Sequence, residues 1–327
     1  MKSSINIVHI SLTPLVGSPG KIADCLNRYT PHRGEFIYLS DYPKPLSGSF
    51  TSSGVYWDRR PNKDSGLAVE LIKNADVIHI HNAVYRVVCD EIYELNPTAS
   101  YVFQTHSGLR EGPLYFDATE MMGLPFKRFF TIAQAYPRLY QNYEPVPNII
   151  SFPANPEPAL IEGGRPRVLF SPTHSRKARW GGKGSKVLEE TLTSLSSLGR
   201  IEYVRPKSFL TPYELFSLRK TCQISVDEII TGGFHQVSLE ALGAGTVCVN
   251  GSDYFSNLSF MSCLGSLDEP PFFRVTEDDC VERMTDLVSS PDLILKYQQE
   301  SLRFFDNYLR PEKLVSIYAQ KYEELLQ

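Results

Sequence analysis

The sequence lacks several features that would narrow its class at once. It has no run of 18 apolar residues, which argues against a membrane-spanning helix. Its six cysteines are scattered, with no C-x-x-C pair and no histidine at zinc-ligand spacing, and they are predicted to be buried thiols of a reducing compartment. The G-x-G-x-x-G fingerprint of dinucleotide-binding proteins is missing. A net charge of −4 gives no support to broad electrostatic binding of nucleic acid.

The length and composition are those of an ordinary globular enzyme. The chain of 327 residues is long enough for two α/β domains of about 150 residues each. Asn6 and His9 interrupt the apolar run near the N-terminus, and no small-x-small cleavage site follows, so a signal peptide is not expected. These features predict a cytoplasmic protein and leave peripheral association with a membrane open.

The most informative stretch runs from Ile224 to Gly251 and has the pattern strand, glycine-bearing loop, short helix, strand. In an open α/β sheet, ligands bind at such loops, next to the free N–H groups of a helix N-terminus. Glu240 is the one charged side chain of the predicted helix. Its carboxylate is suited to accept two hydrogen bonds from a ribose. The alternative is an ordinary βαβ unit in which Glu240 faces solvent or caps a neighbouring element.

This stretch resembles the donor-site signature of GT-B glycosyltransferases, in particular the retaining group called family four. The residues that match are Gly233-Phe234, Leu239-Glu240-Ala241-Leu242 and Gly245-Thr246-Val247. Two positions depart from the family pattern, since Gly232 replaces its first glutamate and His235 replaces a glycine. The resemblance implies that Glu240 binds the nucleotide ribose and that Gly233, Phe234 and His235 line the donor site. Sugar selection by the first glutamate does not carry over.

A basic loop with several glycines precedes a predicted helix that starts at Ser185. Four of the cations of the chain lie within the eight residues 176–183, ahead of the helix N-terminus. Such an arrangement stabilises a diphosphate both as a ligand and as a leaving group. The resemblance implies that Lys183 and Arg176 hold the donor phosphates, with Arg179 as the alternative to Arg176. The other interpretation is a solvated basic loop.

A second loop with several glycines follows the predicted first strand, residues 5–10, and leads into a helix that ends at Tyr29. A loop between a strand and a helix brings backbone amides to a phosphate or a sugar, although many such loops are ordinary turns. The loop is similar to the first loop of GT-B enzymes. That similarity makes Gly17 and Gly20 the candidate contacts to the donor phosphates and the acceptor.

Histidines lie at the ends of two further predicted strands, residues 75–82 and 101–106. The resemblance implies that His106 positions the transferred sugar, as a hydrogen-bond donor rather than a nucleophile. His79 and His81 are interpreted as hydrogen-bonded histidines of the sheet, with His81 and Asn82 as alternative ligand-site residues. The role of Arg110 is left open between orienting this loop and contacting an acceptor.

Several other segments carry specific expectations. Residues 41–64 are predicted to form a long surface loop, which is a natural acceptor-side element. Asp227 and Glu228 end a predicted strand and are placed within reach of the ligand. Thr276 is predicted to cap a helix whose first turn contains the three acids 277–279, so these acids are not assigned to a metal.

Proline and glycine are frequent between residues 154 and 166, which marks the best domain boundary. We therefore predict an α/β protein with the GT-B fold, that is, two Rossmann-like domains facing a central cleft. Residues 1–153 form the acceptor-side domain, 154–166 the linker, 167–310 the nucleotide-sugar-binding domain, and 311–327 a helix that crosses back to the first domain.

The predicted activity is the transfer of a sugar from a nucleoside-diphosphate sugar to an acceptor hydroxyl, with retention of configuration and without a metal or other cofactor. The acceptor is a glycan, a lipid-linked sugar or another hydroxyl compound, and nucleic acid is the less favoured choice. Alanine at Glu240 or Lys183 is predicted to reduce activity and leave the fold intact. The alternatives are a sugar-nucleotide epimerase or hydrolase of the same fold, and a non-catalytic protein that binds the nucleotide sugar.

Overall fold

The structure is a computed structural model. It describes residues 4–40, 54–58, 65–106, 116–135, 140–152, 154–155, 157–161, 163–172, 185–208 and 210–327. The contacts between residues divide the chain into two units. The first unit comprises residues up to 106, residues 116–151 and residues 311–327, and the second comprises residues 152–310. Each unit contains one parallel sheet, so the predicted α/β class is confirmed.

In the first unit, seven strands form a parallel sheet in the order β3-β2-β1-β4-β5-β6-β7. The strands are β1 (Asn6–Ser11), β2 (Arg33–Tyr38), β3 (Gly54–Tyr56), β4 (Val77–His81), β5 (Ser100–Thr105), β6 (Phe126–Ile132) and β7 (Glu144–Val146). The helices of this unit in the described residues are α1 (Ser18–Tyr29), α2 (Ser65–Lys73), α3 (Arg86–Leu95), α4 (Phe116–Met122) and, at the C-terminus, α11 (Pro311–Leu325).

In the second unit, five strands form a parallel sheet in the order β12-β11-β10-β8-β9. The strands are β8 (Arg167–Phe170), β9 (Glu202–Val204), β10 (Ile224–Val226), β11 (Val247–Asn250) and β12 (Phe272–Arg274). The helices are α5 (Lys186–Ser197), α6 (Pro212–Arg219), α7 (Gln236–Gly243), α8 (Tyr254–Leu264), α9 (Cys280–Val288) and α10 (Pro291–Phe304), and a π-helical turn (Phe305–Leu309) follows α10.

Local sequence signals explain where several helices begin and end. Thr211 caps α6 through a capping box with Glu214, in which each side chain bonds the backbone N–H of the other residue. Ser185 caps α5 by accepting a hydrogen bond from the N–H of Leu188. After α7, Gly245 has a φ of +68°, and the Leu302 side chain lies 3.1 Å from where a Cβ would stand. Only glycine combines that backbone with that contact.

Helix α11 packs against the earlier part of the first unit and completes its core. Lys321 of α11 donates to the Glu144 carboxylate over 2.7 Å, and the Tyr318 hydroxyl donates to the backbone oxygen of Pro147 over 2.9 Å. Glu323 accepts from the His32 ring over 3.0 Å. Tyr318 and Tyr322 are fully buried, so α11 supplies part of the core of this unit.

Three sequence-based expectations about elements are wrong. Residues 54–58, expected within a surface loop, contain the edge strand β3 and the buried side chain of Trp57. The acids 277–279 precede helix α9 and do not form its first turn, because Asp279 accepts from the backbone N–H of Thr276 and so closes a turn before the helix. Gly20 is not a loop residue, since α1 already begins at Ser18, with Pro19 favouring an early start.

Candidate functional site

Both sheets have a point at which the strand order reverses, and ligands of open α/β sheets bind beside such a point, at the carboxyl ends of the strands. In the first unit the reversal lies between β1 and β4. In the second it lies between β8 and β10. The described candidate residues of the second unit follow β10, and those of the first unit follow β1, β4 and β5. Each set is described within its own unit.

In the second unit, Asp227 fixes the loop that leads from β10 into α7. Its carboxylate accepts from the backbone N–H of His235 over 2.7 Å and from the Ser238 hydroxyl over 2.8 Å, and the His235 ring lies 3.2 Å away. Asn250 of β11 donates to the same Ser238 hydroxyl over 3.0 Å. Asp227 is only 4% exposed. It therefore organises the start of α7 from within and is not placed to reach a ligand, as the sequence had led us to expect.

Glu228 has a similar internal role. Its carboxylate accepts from the backbone N–H groups of Ile230 and Thr231, over 2.8 and 2.9 Å, and it also contacts the Thr231 hydroxyl. The residue is fully buried. A carboxylate whose acceptor sites are used on backbone amides shapes the loop, so the expectation that Glu228 reaches the ligand is also wrong.

Glu240, in the middle of α7, is the partner of a buried arginine. Arg219 Nη1 donates to Glu240 Oε2 over 2.8 Å, and Arg219 Nε donates to the Ser225 hydroxyl over 3.2 Å. The Arg219 side chain is 1% exposed and the Glu240 side chain is 10% exposed. Glu240 thus lies at the boundary between the core and its outside, and it does not face open solvent.

The loop that precedes α7 separates into parts with different roles. The Phe234 ring is 2% exposed and packs against Phe260 and Phe272, with ring centroids 5.1 and 5.0 Å away. This packing assigns the ring to the core and corrects its assignment to the donor site. Gly233 donates its N–H to the Thr231 hydroxyl over 3.2 Å. The His235 side chain remains 29% exposed, so a ligand can still contact it.

In the first unit, the loop after β1 has an unusual backbone. Leu15, Val16 and Gly17 have φ values of +47°, +55° and +79°. For Val16, a β-branched residue, this region is a genuine outlier that costs on the order of 1–3 kcal/mol. Gly17 adopts its left-handed conformation without that cost and directly precedes α1. The strained turn delivers the chain to the N-terminus of α1, next to the histidines of the sheet.

His106 is held from three sides at the end of β5. Its backbone N–H donates to the side-chain oxygen of Asn82 over 2.8 Å. Its Nε2 lies 2.8 Å from His81 Nδ1, and its Nδ1 lies 3.5 Å from the hydroxyl of Ser18, the first residue of α1. Asn82 itself has a φ of +56°, which asparagine tolerates better than most residues. His106 is therefore a rigidly positioned side chain.

A chain of hydrogen bonds runs inward from His106 through the His81 ring. The Nε2 of His81 lies 2.9 Å from the Nδ1 of fully buried His9. Beside it, the Nδ1 of His79 lies 2.7 Å from the Tyr322 hydroxyl of α11. Burial lowers the pKa of His9 to about 3 and that of His106 to about 4, and it lowers the pKa of His79 and His81 well below the usual value. The rings are therefore neutral near pH 7.

The direction of this hydrogen-bond chain follows from its inner end. A neutral imidazole carries one N–H, and His9 Nε2 is buried with no hydrogen-bond partner in the described residues. A buried unpaired donor is disfavoured, so the proton belongs on His9 Nδ1 and is donated to His81 Nε2. His81 must then donate from Nδ1 to His106 Nε2, and His106 from Nδ1 toward Ser18. The arrangement directs the one N–H of His106 at Ser18, and the contact of His106 with a sugar stays a prediction.

Nitrogen NMR tests this direction. In protein labelled with ¹⁵N-histidine at pH 7.5, we expect His9, His81 and His106 to show a protonated Nδ1 and an unprotonated Nε2. The side-chain NH2 group of asparagine in His106→Asn takes the position of Nδ1, whereas that of glutamine in His106→Gln takes the position of Nε2. His106→Asn should therefore retain more of the protein's activity than His106→Gln. Protonation of His106 at Nε2 in the wild type would contradict the assignment.

The same cluster has the spacing of a metal site. One ring nitrogen from each of His9, His79 and His81 lies within 4.8 Å of the others. The nitrogens of a tetrahedral zinc site lie about 3.3 Å apart, given bonds of roughly 2.0–2.1 Å. Here His9 and His81 are joined by a hydrogen bond of 2.9 Å, and His79 is hydrogen-bonded to the Tyr322 hydroxyl instead, so these contacts already account for the position of each ring. Metal independence nevertheless remains a prediction, and it is tested below.

Three of the sequence-based site residues, Arg176, Arg179 and Lys183, lie outside the described residues, as does Arg110. Other members of the two clusters were not recognised as site residues in the sequence. Arg219 lies 21 positions before Glu240, and Ser18 and His9 precede His106 by 88 and 97 positions. In the sequence, the only local signal for Arg219 was an arginine near the end of the predicted helix, in line with apolar residues. Nothing local marked His9 or Ser18.

Comparison with known proteins finds solved structures of similar fold. Neither a protein-family model nor a characterised protein sequence matches the chain. Among solved structures, an alpha-glucosyltransferase in complex with UDP and a 13-mer DNA containing an A:G mismatch is similar over 100% of both chains, with a TM-score of 0.66 and 12% identity. The UDP-GlcNAc 2-epimerase from Neisseria meningitidis bound to UDP-GlcNAc is similar over 98% of both chains, with a TM-score of 0.51 and 11% identity.

These similarities and the two parallel sheets define a GT-B fold, which confirms the predicted architecture class. A second alpha-glucosyltransferase complex, with UDP and DNA containing an HMU base, has a TM-score of 0.67 at 11% identity, with 99% of this chain and 100% of that chain covered. At such identities the similarity shows the fold and not the activity. No helix in the described part of the chain is both long and apolar enough to cross a membrane.

Proposed function

We propose that the protein is a retaining glycosyltransferase that moves a hexosyl group from a uridine-diphosphate sugar to an acceptor hydroxyl. The observation that carries the proposal is the Glu240 carboxylate, placed on α7 by buried Arg219 at the boundary of the core. A carboxylate there is suited to the adjacent hydroxyls of a ribose. The choice of uridine is supported by the similar structures, several of which hold UDP or UDP-GlcNAc.

In this mechanism Lys183 and Arg176, or Arg179 in place of Arg176, neutralise the diphosphate as charge develops on the leaving group. Gly233 and His235 line the donor site, and Gly17 serves the acceptor side. The departing diphosphate takes the acceptor proton on the same face, so the protein positions groups and needs no strong general base. His106, held at the end of β5 by Asn82, His81 and Ser18, positions the sugar. Because these cations neutralise the diphosphate, the reaction requires no metal.

Two other functions are supported by specific observations. The similarity to UDP-GlcNAc 2-epimerases favours a sugar-nucleotide epimerase or hydrolase, which would form product from the donor without any acceptor. Gly232, at the position of the first glutamate of the family, favours a protein that binds the nucleotide sugar without turnover.

Thermal stabilisation by nucleotides tests the donor site. We expect UDP and UDP-sugars to raise the melting temperature more than GDP does, equally with magnesium and with EDTA. Glu240→Gln should abolish most of this shift, because the amide accepts from only one oxygen and donates from the other position. Glu190→Gln, an acid of an exposed ion pair on α5, is the matched control and should keep it. No shift with any nucleotide would contradict the proposal, and a shift that EDTA removes would contradict metal independence.

Donor turnover then separates the three activities. UDP release that depends on an acceptor identifies a transferase, release or epimerisation without an acceptor identifies the second candidate, and binding without turnover identifies the third. The acceptor panel should contain glycans, lipid-linked sugars and DNA with an HMU base, since the last is held by one of the similar structures. The net charge of −4 makes DNA the less favoured of these acceptors.

A further inference from the structure

Arg219 is an unusual residue in the second unit, because its guanidinium is buried and held by hydrogen bonds at two points. Nη1 donates to Glu240 Oε2 over 2.8 Å, and Nε donates to the hydroxyl of Ser225 over 3.2 Å. Ser225 belongs to β10, at the centre of the sheet, and is 1% exposed. A planar guanidinium anchored at two points has little freedom to rotate. The carboxylate bound to it is therefore fixed in direction as well as in position.

The pair is asymmetric in its exposure. The Arg219 side chain is 1% exposed, whereas 10% of the Glu240 side chain reaches the surface. The Arg219 guanidinium therefore lies deeper below the protein surface than the Glu240 carboxylate. A carboxylate offers about four acceptor sites, and the hydrogen bond from Arg219 occupies one of them. A buried ion pair contributes little stability compared with an apolar pair of the same volume. A role for the carboxylate therefore explains this pair better than stability does.

We propose that Arg219 is a positioning residue for nucleotide recognition, through which the outward edge of the Glu240 carboxylate is aimed at the 2′- and 3′-hydroxyls of the ribose. This inference rests on the proposed function, since it names how the same donor site distinguishes its ligand. A site built to bind a hydroxyl rejects an analogue that lacks it, because its polar group is left unpaired. The protein should therefore distinguish UDP from 2′-deoxy-UDP.

The test compares the dissociation constants of UDP and 2′-deoxy-UDP by calorimetry. In the wild type, we expect UDP to bind about tenfold or more tightly, the size of one hydrogen bond to a charged group. In Arg219→Met and Glu240→Gln, the ratio should approach one, while the diphosphate still binds. Arg219→Lys keeps the buried charge but loses the second anchor, so an intermediate ratio is expected, and this variant serves if Arg219→Met does not fold. Arg274→Lys, in an exposed ion pair with Glu269, is the control and should keep the wild-type ratio.

A purely structural role for Arg219 would weaken both nucleotides alike and leave the ratio unchanged, which would overturn the inference. Wild-type protein that binds UDP and 2′-deoxy-UDP equally would overturn it as well, together with the ribose contact of Glu240, while the binding of UDP itself would still support a donor site. Failure of the wild-type protein to bind either UDP or 2′-deoxy-UDP would contradict the proposed function, and the inference that rests on it.

Discussion

Acidification from pH 8 to pH 5 is expected to lower the free energy of unfolding by about 6–8 kcal/mol. The cause is the group of four buried histidines, His9, His79, His81 and His106. Each has a pKa lowered by burial in the folded chain, to about 3 for His9 and about 4 for His106. In the unfolded chain their pKa is about 6.5. Below that pH, only the unfolded chain takes up their protons.

The sign follows from this difference in protons. Stability is fully present above pH 6.5 and is lost as the pH falls from 6.5 toward the folded values. Each histidine that stays neutral in the fold costs about 2 kcal/mol at pH 5. The total is comparable to the stability of a typical protein. The neighbours that face these rings include one another, the hydroxyls of Tyr322 and Ser18, and the Phe130 ring. No carboxylate hydrogen-bonds any of the four rings in the described residues.

Urea unfolding at intervals between pH 5 and pH 8 measures the effect. Most carboxyl groups titrate below this range, so the slope reports mainly on histidine. In His9→Gln one titrating group is gone, and the slope between pH 5 and pH 6 should decrease by up to about 1.4 kcal/mol per pH unit. A wild-type stability that is constant from pH 7 to pH 5 would show that the rings are protonated in the fold.

Glu240→Ala is expected to destabilise the protein by about 3–5 kcal/mol, because it leaves the Arg219 guanidinium buried without its counter-charge. This expectation replaces the prediction from the sequence that alanine at this position leaves the fold intact. The sequence showed a carboxylate on a short helix, and only the structure shows that the carboxylate neutralises an arginine with a 1% exposed side chain.

A double-mutant cycle measures this interaction. Arg219→Met alone should also be costly, whereas Arg219→Met combined with Glu240→Leu should recover most of the loss, since two apolar side chains can fill the same volume. The exposed pair of Arg274 and Glu269 is the control, and its removal should change the stability by less than about 1 kcal/mol. Additive losses in the buried pair would mean that the two charges do not depend on each other.

The parts of the fold that could be predicted are those whose causes are local. Thr211 and Glu214 form their capping box within four residues, and the segment around Glu240 has the strand, loop and helix that its pattern indicates. The short strand β3 was missed because its pairing with β2 depends on a distant segment. Its sequence around Gly54 reads as a loop.

The site could be predicted only where one segment carries it. Glu240 and His106 were proposed as site residues from their own segments, and these assignments stay predictions. The residues that orient them, Arg219 and His81, act through contacts made by the sheet order, which no single stretch of sequence reveals. The same limit explains Asp227 and Glu228, whose carboxylates were expected to reach a ligand and instead bind the backbone and side chains of the following turn.

The return of α11 to the first unit has a consequence for the order in which the protein can fold during synthesis. Residues 4–151 are translated before the second unit, but the core around His79 and Gln104 also needs Tyr322 and Tyr318, which are translated after it. The second unit is formed by residues 152–310 and can be completed before α11 is made. The unit that is begun first is thus completed after the other one, and its buried histidines lack the cover of α11 until that helix emerges.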